Sequence, residues 1–437
     1  MKVRKTVVLK TEKLPKKVFK IFTELEGMYR EMILQTVLFA VLNEVTSFVK
    51  LKVKMYPFLR KLYPQLPSHY AYTVCQDSAL RVKSFLKRKK KGLAEKEYPE
   101  VRSVSIWLDD HLWRVGLTLI RIATHKGWIE VNLEGHKHYW KTVNSGWKLA
   151  SQARIKLDKK ERRLIVFLTF YKDVEEYEAR SWIPIDVNED NVTALIDFTP
   201  VIFETGQKEI TLGYYYRRKR VQEKWDKKLG SRNGKKRRIL RKLREGYKKR
   251  DIRNKLARII VEEARKRNAG IVLEKLPKNV PRRMMESIED RQLRHRIYQS
   301  AFLGIQKRIE EKAREYGVPV IKVNPKNTSK ICPVHNALVE YKNCSRFGVC
   351  SVGGEVWHRD VLAAWNLYLK ALQGDGSNAP SPGGSCLDGR LVPLGSIATS
   401  EVARIEESRW LRWNSHRDTK RYVSIQNETI RKNGLLY

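Results

Sequence analysis

The apolar positions of the chain change period several times, and each change marks an element. Residues 3–10 (VRKTVVLK) read as a short strand. From Lys17 to Phe58, apolar side chains such as Phe19, Phe22, Leu25, Met28 and Met32 recur at three- and four-residue spacing, which predicts helix. A second helical stretch runs from Ala71 to Arg88 and ends in the basic run Lys87 to Lys91. Between Val101 and Lys172 the texture turns to strand, with the runs VRSVSIWL, WIEVNL and RLIVFLTFY separated by charged or glycine-containing turns. The first half therefore reads as a β-barrel or folded sheet carrying a helical insertion.

From Trp182 the pattern becomes mixed. SWIPIDV, NVTALIDF and VIFETGQKEI are expected strands, followed by a long basic helical stretch from Tyr216 to Arg267. AGIVLEKL is then a strand, QLRHRIYQSAFLGIQKRIEEKAREYG one helix, VPVIKVNP a strand and HRDVLAAWNLYLKAL a helix. Strands alternating with helices over residues 180–370 predict an α/β layer. GDGSNAPSPGGS after Gln373 has linker composition, and the polar tail to Tyr437 is expected to be loosely ordered.

Composition narrows the function. The chain has 437 residues, which suggests two or three domains, and its net charge is +41. Apolar residues at 42% are enough for real cores and exclude a wholly disordered basic tail protein. A charge of that size calls for a polyanion, so nucleic acid leads the partners and an anionic membrane surface trails. The longest apolar stretch, Met32 to Leu42, is too short to span a bilayer, and the start MKVRKTVVLKTEKLPKK has no apolar core of a signal peptide. A cytoplasmic, nucleoid-associated protein is the expectation. Five cysteines make no disulfide framework, but Cys332, Cys344 and Cys350 cluster within nineteen positions and point to a metal in a reducing compartment.

Three acids stand at element ends. Asp186 closes the apolar strand of Ile183 and Ile185, Glu274 closes Ile271–Val272–Leu273, and Asp360 opens the last helix. Phosphodiester cleavage needs an activated water and a stabilised leaving oxygen, which two divalent ions held by carboxylates supply. Mg²⁺, a hard ion with oxygen ligands, suits such a set. A single Asp at a strand end is also a common turn former, and Glu189, Asp190 and Asp197 compete with Asp186 on sequence grounds. Between Arg217 and Lys255 there are 20 Lys/Arg against 4 acids. Arg217, Arg218, Lys219, Arg220, Lys235, Lys236, Arg237, Arg238, Arg241 and Lys242 are the expected phosphate contacts, although a charge run is often only a solvated face. Trp107, Trp113, Trp128, Tyr139, Trp140 and Trp147 offer stacking surfaces for bases, but their strand-like setting favours the core.

IPIDVNEDNVTAL, IVLEKL, NTSKICPVH and CSVGGEVWHRDVLAAWNL, in that order, resemble the three RuvC-like segments and inserted zinc element of TnpB (OrfB) proteins. These are RNA-guided nucleases of insertion sequences, related to compact type V CRISPR effectors. The resemblance covers residues 1–372, and 67–86 and 101–110 look like the archaeal branch. It implies an RNase H-like (RuvC-like) nuclease domain over 179–327 and 356–372, with a zinc-binding-like element at 328–355. It also implies a wedge-like β-rich barrel over 1–16 and 96–178, a helical recognition-like insertion at 17–95, and a linker and tail at 373–437. Asp186, Glu274 and Asp360 take the places of the catalytic carboxylates, binding Mg²⁺, with guide RNA and target DNA as partners and DNA cleavage as the activity. Pro184-Ile185-Asp186-Val187-Asn188 departs from the usual Gly-Ile-Asp-Leu-Gly. In the zinc element Cys332 and His335 have knuckle spacing and Cys350 opens a second knuckle, but Gly353 stands where its partner cysteine belongs. The fourth Zn²⁺ ligand is then His358 or Cys344, or the element is a degenerate loop without zinc. Two rival readings stay open: a guide-independent accessory nuclease of transposition, and a catalytically inactive nucleic-acid-binding regulator.

Overall fold

The computed structural model describes residues 1–229, 234–277, 280–286, 288–300, 302–342 and 345–373. The side chains at 228, 229, 234–237, 280, 281 and 283 are also outside the described set. The tail expected from 374 onward therefore lies outside the described residues. The chain divides into two compact units, Met1–Asp173 and Val174–Tyr437.

The first unit begins with β1 (Lys2–Thr11), then α1 (Lys16–Leu42), α2 (Phe48–Leu62) and α3 (His69–Lys89). The rest is β2 (Ile106–Leu108), β3 (Trp113–Val115), β4 (Leu119–Thr124), β5 (Gly127–Glu134), α4 (Lys137–Val143), β6 (Lys148–Asp158) and β7 (Arg163–Asp173). The strands make one antiparallel seven-stranded sheet in the order β2-β6-β7-β1-β5-β4-β3. Its edge strands β2 and β3 do not pair with each other, so the sheet is a near-barrel rather than a closed one. Period-two patterning sends Val7 and Leu9 of β1, and Leu164, Val166, Leu168 and Phe170 of β7, into the core. There they meet Phe22, Leu25, Tyr29, Met32 and Ile33 of α1, the stripe its spacing predicts.

The expected single helix over 17–58 is two. Glu44 takes a left-handed backbone (φ 52°) just after the Asn43 cap, which ends α1 before α2 begins. Polar pins tie helices to sheet: Tyr70 Oη donates to the Ala123 carbonyl at 2.6 Å, and Tyr29 Oη accepts from the Trp107 amide at 3.3 Å. Trp107, Trp113, Tyr139 and Trp147 are buried, whereas Trp128 is exposed.

The second unit opens with β8 (Ser181–Val187), β9 (Asn191–Ile196) and β10 (Thr199–Glu204), followed by α5 (Gln207–Leu229), α6 (Gly234–Arg241) and α7 (Glu245–Lys266). Then come β11 (Ala269–Glu274), α8 (Val280–Glu286), α9 (Arg291–Gln299), α10 (Phe302–Tyr316) and β12 (Val320–Val323). A small three-stranded antiparallel sheet of β13 (Val339–Tyr341), β14 (Phe347–Cys350) and β15 (Val356–His358) precedes α11 (Arg359–Gln373). The main sheet runs β10-β9-β8-β11-β12, with β8, β11 and β12 parallel and β9 antiparallel to its neighbours. This mixed order resembles an RNase H/RuvC-like topology. The β9–β10 hairpin turns through Asp197 and Phe198, both at positive φ (51° and 62°), as a tight two-residue turn requires.

Two expectations shift. QKEI is not strand but the first turn of α5, after β10 stops at Glu204. The one helix expected over 292–317 is α9 and α10, parted at Ser300, whose extended backbone (ψ 128°) ends α9.

Alternation along β8 and β11 sorts their side chains. Ile183, Ile185 and Val187, with Ala269, Ile271 and Leu273, pack on α7 and α10. Trp182, Val272 and Ile321 face the other way, onto Leu367 and Ala371 of α11. Pro184 is tolerated inside β8 because β9 pairing starts only at Ile185.

Candidate functional site

Asp186 and Glu274 belong to the face of the sheet that α11 covers. Each is the residue after the last paired position, Ile185 opposite Leu273, so the two carboxylates sit side by side at the C-terminal ends of parallel strands. Asp360 lies in the first turn of α11, where the helix dipole favours a negative charge. Asp186 and Asp360 are buried, and Glu274 is half-buried. Burial, then Glu274, then Asp360 push the Asp186 carboxyl well above the usual carboxylate range. Burial pushes Glu274 up to about 7. Asp186 therefore feels the charge of two acids that lie far from it along the chain.

A polar lattice spaces them. Asn188 Nδ2 donates to Asp186 Oδ2 at 2.7 Å and to Asn191 Oδ1 at 3.2 Å. Asn191 Nδ2 donates in turn to Asp360 Oδ2 at 3.2 Å. Arg346, at the start of β14, donates to the same oxygen at 2.6 Å. Asn188 thus stands where the usual motif has glycine, and its amide steadies the acid beside it. Clustered like charges with Arg346 and Arg359 beside them suit a divalent cation: the donors are all hard oxygens, and an ion would relieve the repulsion that raises Asp186.

The competing acids are engaged elsewhere. Glu189 forms a bidentate pair with Arg296 (2.8 and 2.6 Å). Asp190 Oδ1 accepts from the Lys208 amide, and Asp197 pairs with Arg267 at 2.6 Å.

Cys332, His335, Cys350 and Glu355 bring their ligand atoms within 4.8 Å of one another. Cys332 Sγ and Cys350 Sγ lie 3.8 and 3.6 Å from His335 Nδ1, and Glu355 Oε1 lies 3.3 Å from that nitrogen. Burial, with Cys350 alongside, raises the Cys332 thiol. Glu355 is the member that sequence reasoning missed. A Cβ at Gly353 would run into the His335 ring and the Glu355 carboxylate, so the space that a cysteine would need there is filled by that glutamate. Of the two expected fourth ligands, His358 is outside the group, its ring edge-on to Phe347 at 5.2 Å and its buried Nδ1 without a hydrogen-bond partner. Cys344 lies outside the described residues. Asn366 of α11 ties this element to the acid helix, its Nδ2 donating to the carbonyls of Thr328 and Ile331 at 2.8 Å each.

A second group of metal-ligand types, His69, Asp109 and His111, lies in the first unit. Neither its histidines nor its aspartate stood out in the sequence, because the ligands are 40 residues apart and follow no knuckle spacing.

The basic helices divide by role. Arg217, Lys219 and Arg220 of α5, Arg238 and Arg241 of α6, and Lys242 after it are exposed. Arg218 is not a free phosphate contact: it pairs with Glu245, which also holds Lys249 at 2.9 Å, and reaches His295 Nε2 at 2.9 Å. The side chains of Lys235, Lys236 and Arg237 lie outside the described residues. No helix among the described residues is long and apolar enough to cross a membrane.

Residues 25–123 match the Uncharacterized protein MJ0013 family, and residues 302–367 match the Cas12f1-like TNB domain. The uncharacterized protein MJ0857 of Methanocaldococcus jannaschii is 29% identical over 212 residues, covering 44% of this chain and 77% of that protein. The TnpB-like protein MJ0751 of the same organism is 30% identical over 216 residues, 47% of this chain and 74% of that protein. Among solved structures, Cas12f1 in complex with sgRNA and target DNA superposes with a TM-score of 0.59 at 16% identity, covering 81% of this chain and 83% of that one. The likeness to MJ0751 places the chain in the TnpB-like family.

Proposed function

We propose that the chain is an RNA-guided DNA endonuclease whose cleavage site is Asp186, Glu274 and Asp360. The observation that carries this reading is the convergence of two buried acids and a half-buried one at the C-terminal ends of β8 and β11 and the N-terminus of α11. Mg²⁺, as a pair of ions, would be held by these carboxylates and would supply an activated water and a stabilised leaving oxygen. Asp186 and Glu274 offer oxygens from the strand edge, and Asp360 offers one from the helix. Asn188 and Asn191 keep the oxygens aimed, and Arg346 neutralises Asp360 on its outer side. The exposed cations Arg217, Lys219, Arg220, Arg238, Arg241 and Lys242 would hold phosphates without reading bases. Sequence would be read by pairing between guide RNA and target strand, and the protein would read only a short adjacent duplex motif. Cys332, His335, Cys350 and Glu355 would hold a structural Zn²⁺ that braces β14 and β15 next to the acid helix.

The test is to sequence nucleic acid that co-purifies with the protein and to assay cleavage of DNA matching it. A discrete RNA whose removal abolishes Mg²⁺-dependent cutting supports the proposal. Cutting that survives loss of the RNA makes the protein a guide-independent nuclease. If Asp186→Ala leaves its cellular function intact, it is a binding regulator instead.

A further inference from the structure

We propose that His69, Asp109 and His111 form a binding site for a divalent first-row transition metal in the first unit. This site is independent of the carboxylate site and of the cysteine-containing cluster. His69 is the first residue of α3, and Asp109 and His111 lie in the turn just after β2. His69 Nδ1 meets Asp109 Oδ2 at 2.6 Å, and the three ligand atoms lie within 4.8 Å of one another. The two imidazoles stack at 3.8 Å with 19° between their planes, and His111 Nδ1 lies 4.0 Å from the other carboxylate oxygen, Asp109 Oδ1. Asp110 Oδ1, 3.1 Å from His111 Nδ1, is a further oxygen at the rim.

The burial is graded in the way a site needs. Asp109 is buried at 8% exposure and is held from behind by the His111 amide (3.1 Å on Oδ1), while the His111 side chain is 61% exposed. One shared divalent ion bound by neutral rings satisfies both nitrogens and the carboxylate at once. Two nitrogens and one carboxylate suit Zn²⁺, Co²⁺ or Ni²⁺ and not Mg²⁺ or Ca²⁺, whose sites are built of oxygen. The consequence is structural. The ion would clamp the N-terminus of α3 to the end of β2, closing a 40-residue excursion between helices and sheet.

The experiment uses the full chain and Co²⁺ alone as the probe, read by visible absorption and by thermal melting. Thiolate-to-cobalt absorption reports the Cys332/Cys350 cluster, and cobalt bound without it reports nitrogen and oxygen sites. His111→Gln alters an exposed side chain and should fold. It should weaken the sulfur-free cobalt uptake at least tenfold and remove part of the cobalt-induced rise in melting temperature, leaving the thiolate absorption unchanged. His111→Cys should add thiolate-to-cobalt absorption on top of that of the wild type. If His111→Gln binds cobalt with wild-type stoichiometry and affinity, or His111→Cys adds no such absorption, the three residues are a hydrogen-bonded turn and the proposal falls.

Discussion

Burial pushes the Glu274 carboxyl up to about 7, so near neutral pH it is protonated about half the time. Its ordinary value is 4.5, and the raised value means that its contribution to stability is present below about 4.5 and lost as pH rises through about 7. Asp186, raised by burial and by both other acids, adds to the loss in the same direction. Glu274→Gln, which does not titrate, should therefore raise the melting temperature of the metal-free protein at pH 8 and do much less at pH 5. Mg²⁺ should shrink the difference, since the ion relieves the same repulsion. Melting curves at the two pH values check this; a gain that is equal at both would mean that folding does not raise the Glu274 carboxyl. The same variant should lose DNA cleavage by more than the 10–100-fold typical of losing an outer partner of a metal ligand, while keeping RNA binding. Asn191→Ala removes only the amide between Asn188 and Asp360, and a loss of about 10–100-fold in cleavage at unchanged RNA affinity is expected. The sequence carried the strand-end acids plainly, but apolar patterning alone did not decide among Asp186, Glu189, Asp190 and Asp197, and the choice of Asp186 rested on the family resemblance. In the fold that choice depends on Arg296 and Arg267, which lie 107 and 70 residues away along the chain from the acids they occupy. Glu355 was illegible for a related reason: what marks it is the space beside Gly353, which appears only once the hairpin has closed.

At the scale of elements, the strands were easier to read than the helix ends. β7 and β11 followed directly from their apolar runs, because a strand's alternation is short and self-contained. The helix breaks at Glu44 and Ser300 come from single backbone geometries inside patterns that otherwise continue, so spacing alone ran through them. The join between α11 and the cysteine-containing element was not legible from spacing: Cys332, Val339, Cys350 and Trp357 pack with Leu362 and Trp365 of the helix, and one amide pins the two together. Asn366 Nδ2 serves the carbonyls of Thr328 and Ile331 and, at 3.1 Å, that of Leu362. Asn366→Leu keeps the volume roughly but leaves buried carbonyls unpaired, at a cost of about 1–3 kcal/mol. In a unit of this size that corresponds to a fall of a few degrees in melting temperature. Because Asp360 rides on the same helix, cleavage should fall as well, with Asp186 and Glu274 untouched. Melting and cleavage measured together check this, and a full melting loss at wild-type cleavage rate would separate the brace from the acid helix. Glu355→Ala belongs to the same element. It should release zinc at a chelator concentration at which the wild type keeps it, read as metal content per chain.

For the molecule as a whole, the dominant fact is a net charge of +41 carried on two units. The first unit ends at Asp173, at the close of the strand-rich stretch, and the second takes up the mixed texture from Val174. Charge calls for a polyanion partner without saying where it would lie. Arg218 shows why: it lies inside the densest basic run yet pairs with Glu245, so a count of cations overstates the contacts. The exposed subset can be weighed by salt dependence. Each phosphate neutralised contributes about 0.7 to the slope of log K against log salt for a single strand and about 0.9 for duplex DNA. Replacing Arg217, Lys219 and Arg220 together by Gln should thus lower the slope for RNA or DNA binding by roughly 2–3. Arg218→Gln should instead lower the melting temperature and leave the slope nearly unchanged, since its loss exposes the Glu245–Lys249 pair rather than a phosphate contact. Binding titrations at four or five salt concentrations distinguish the two. If the triple variant binds with the wild-type slope, the outer face of α5 is only a solvated charge run, and the phosphates are held by the cations of α6 and beyond.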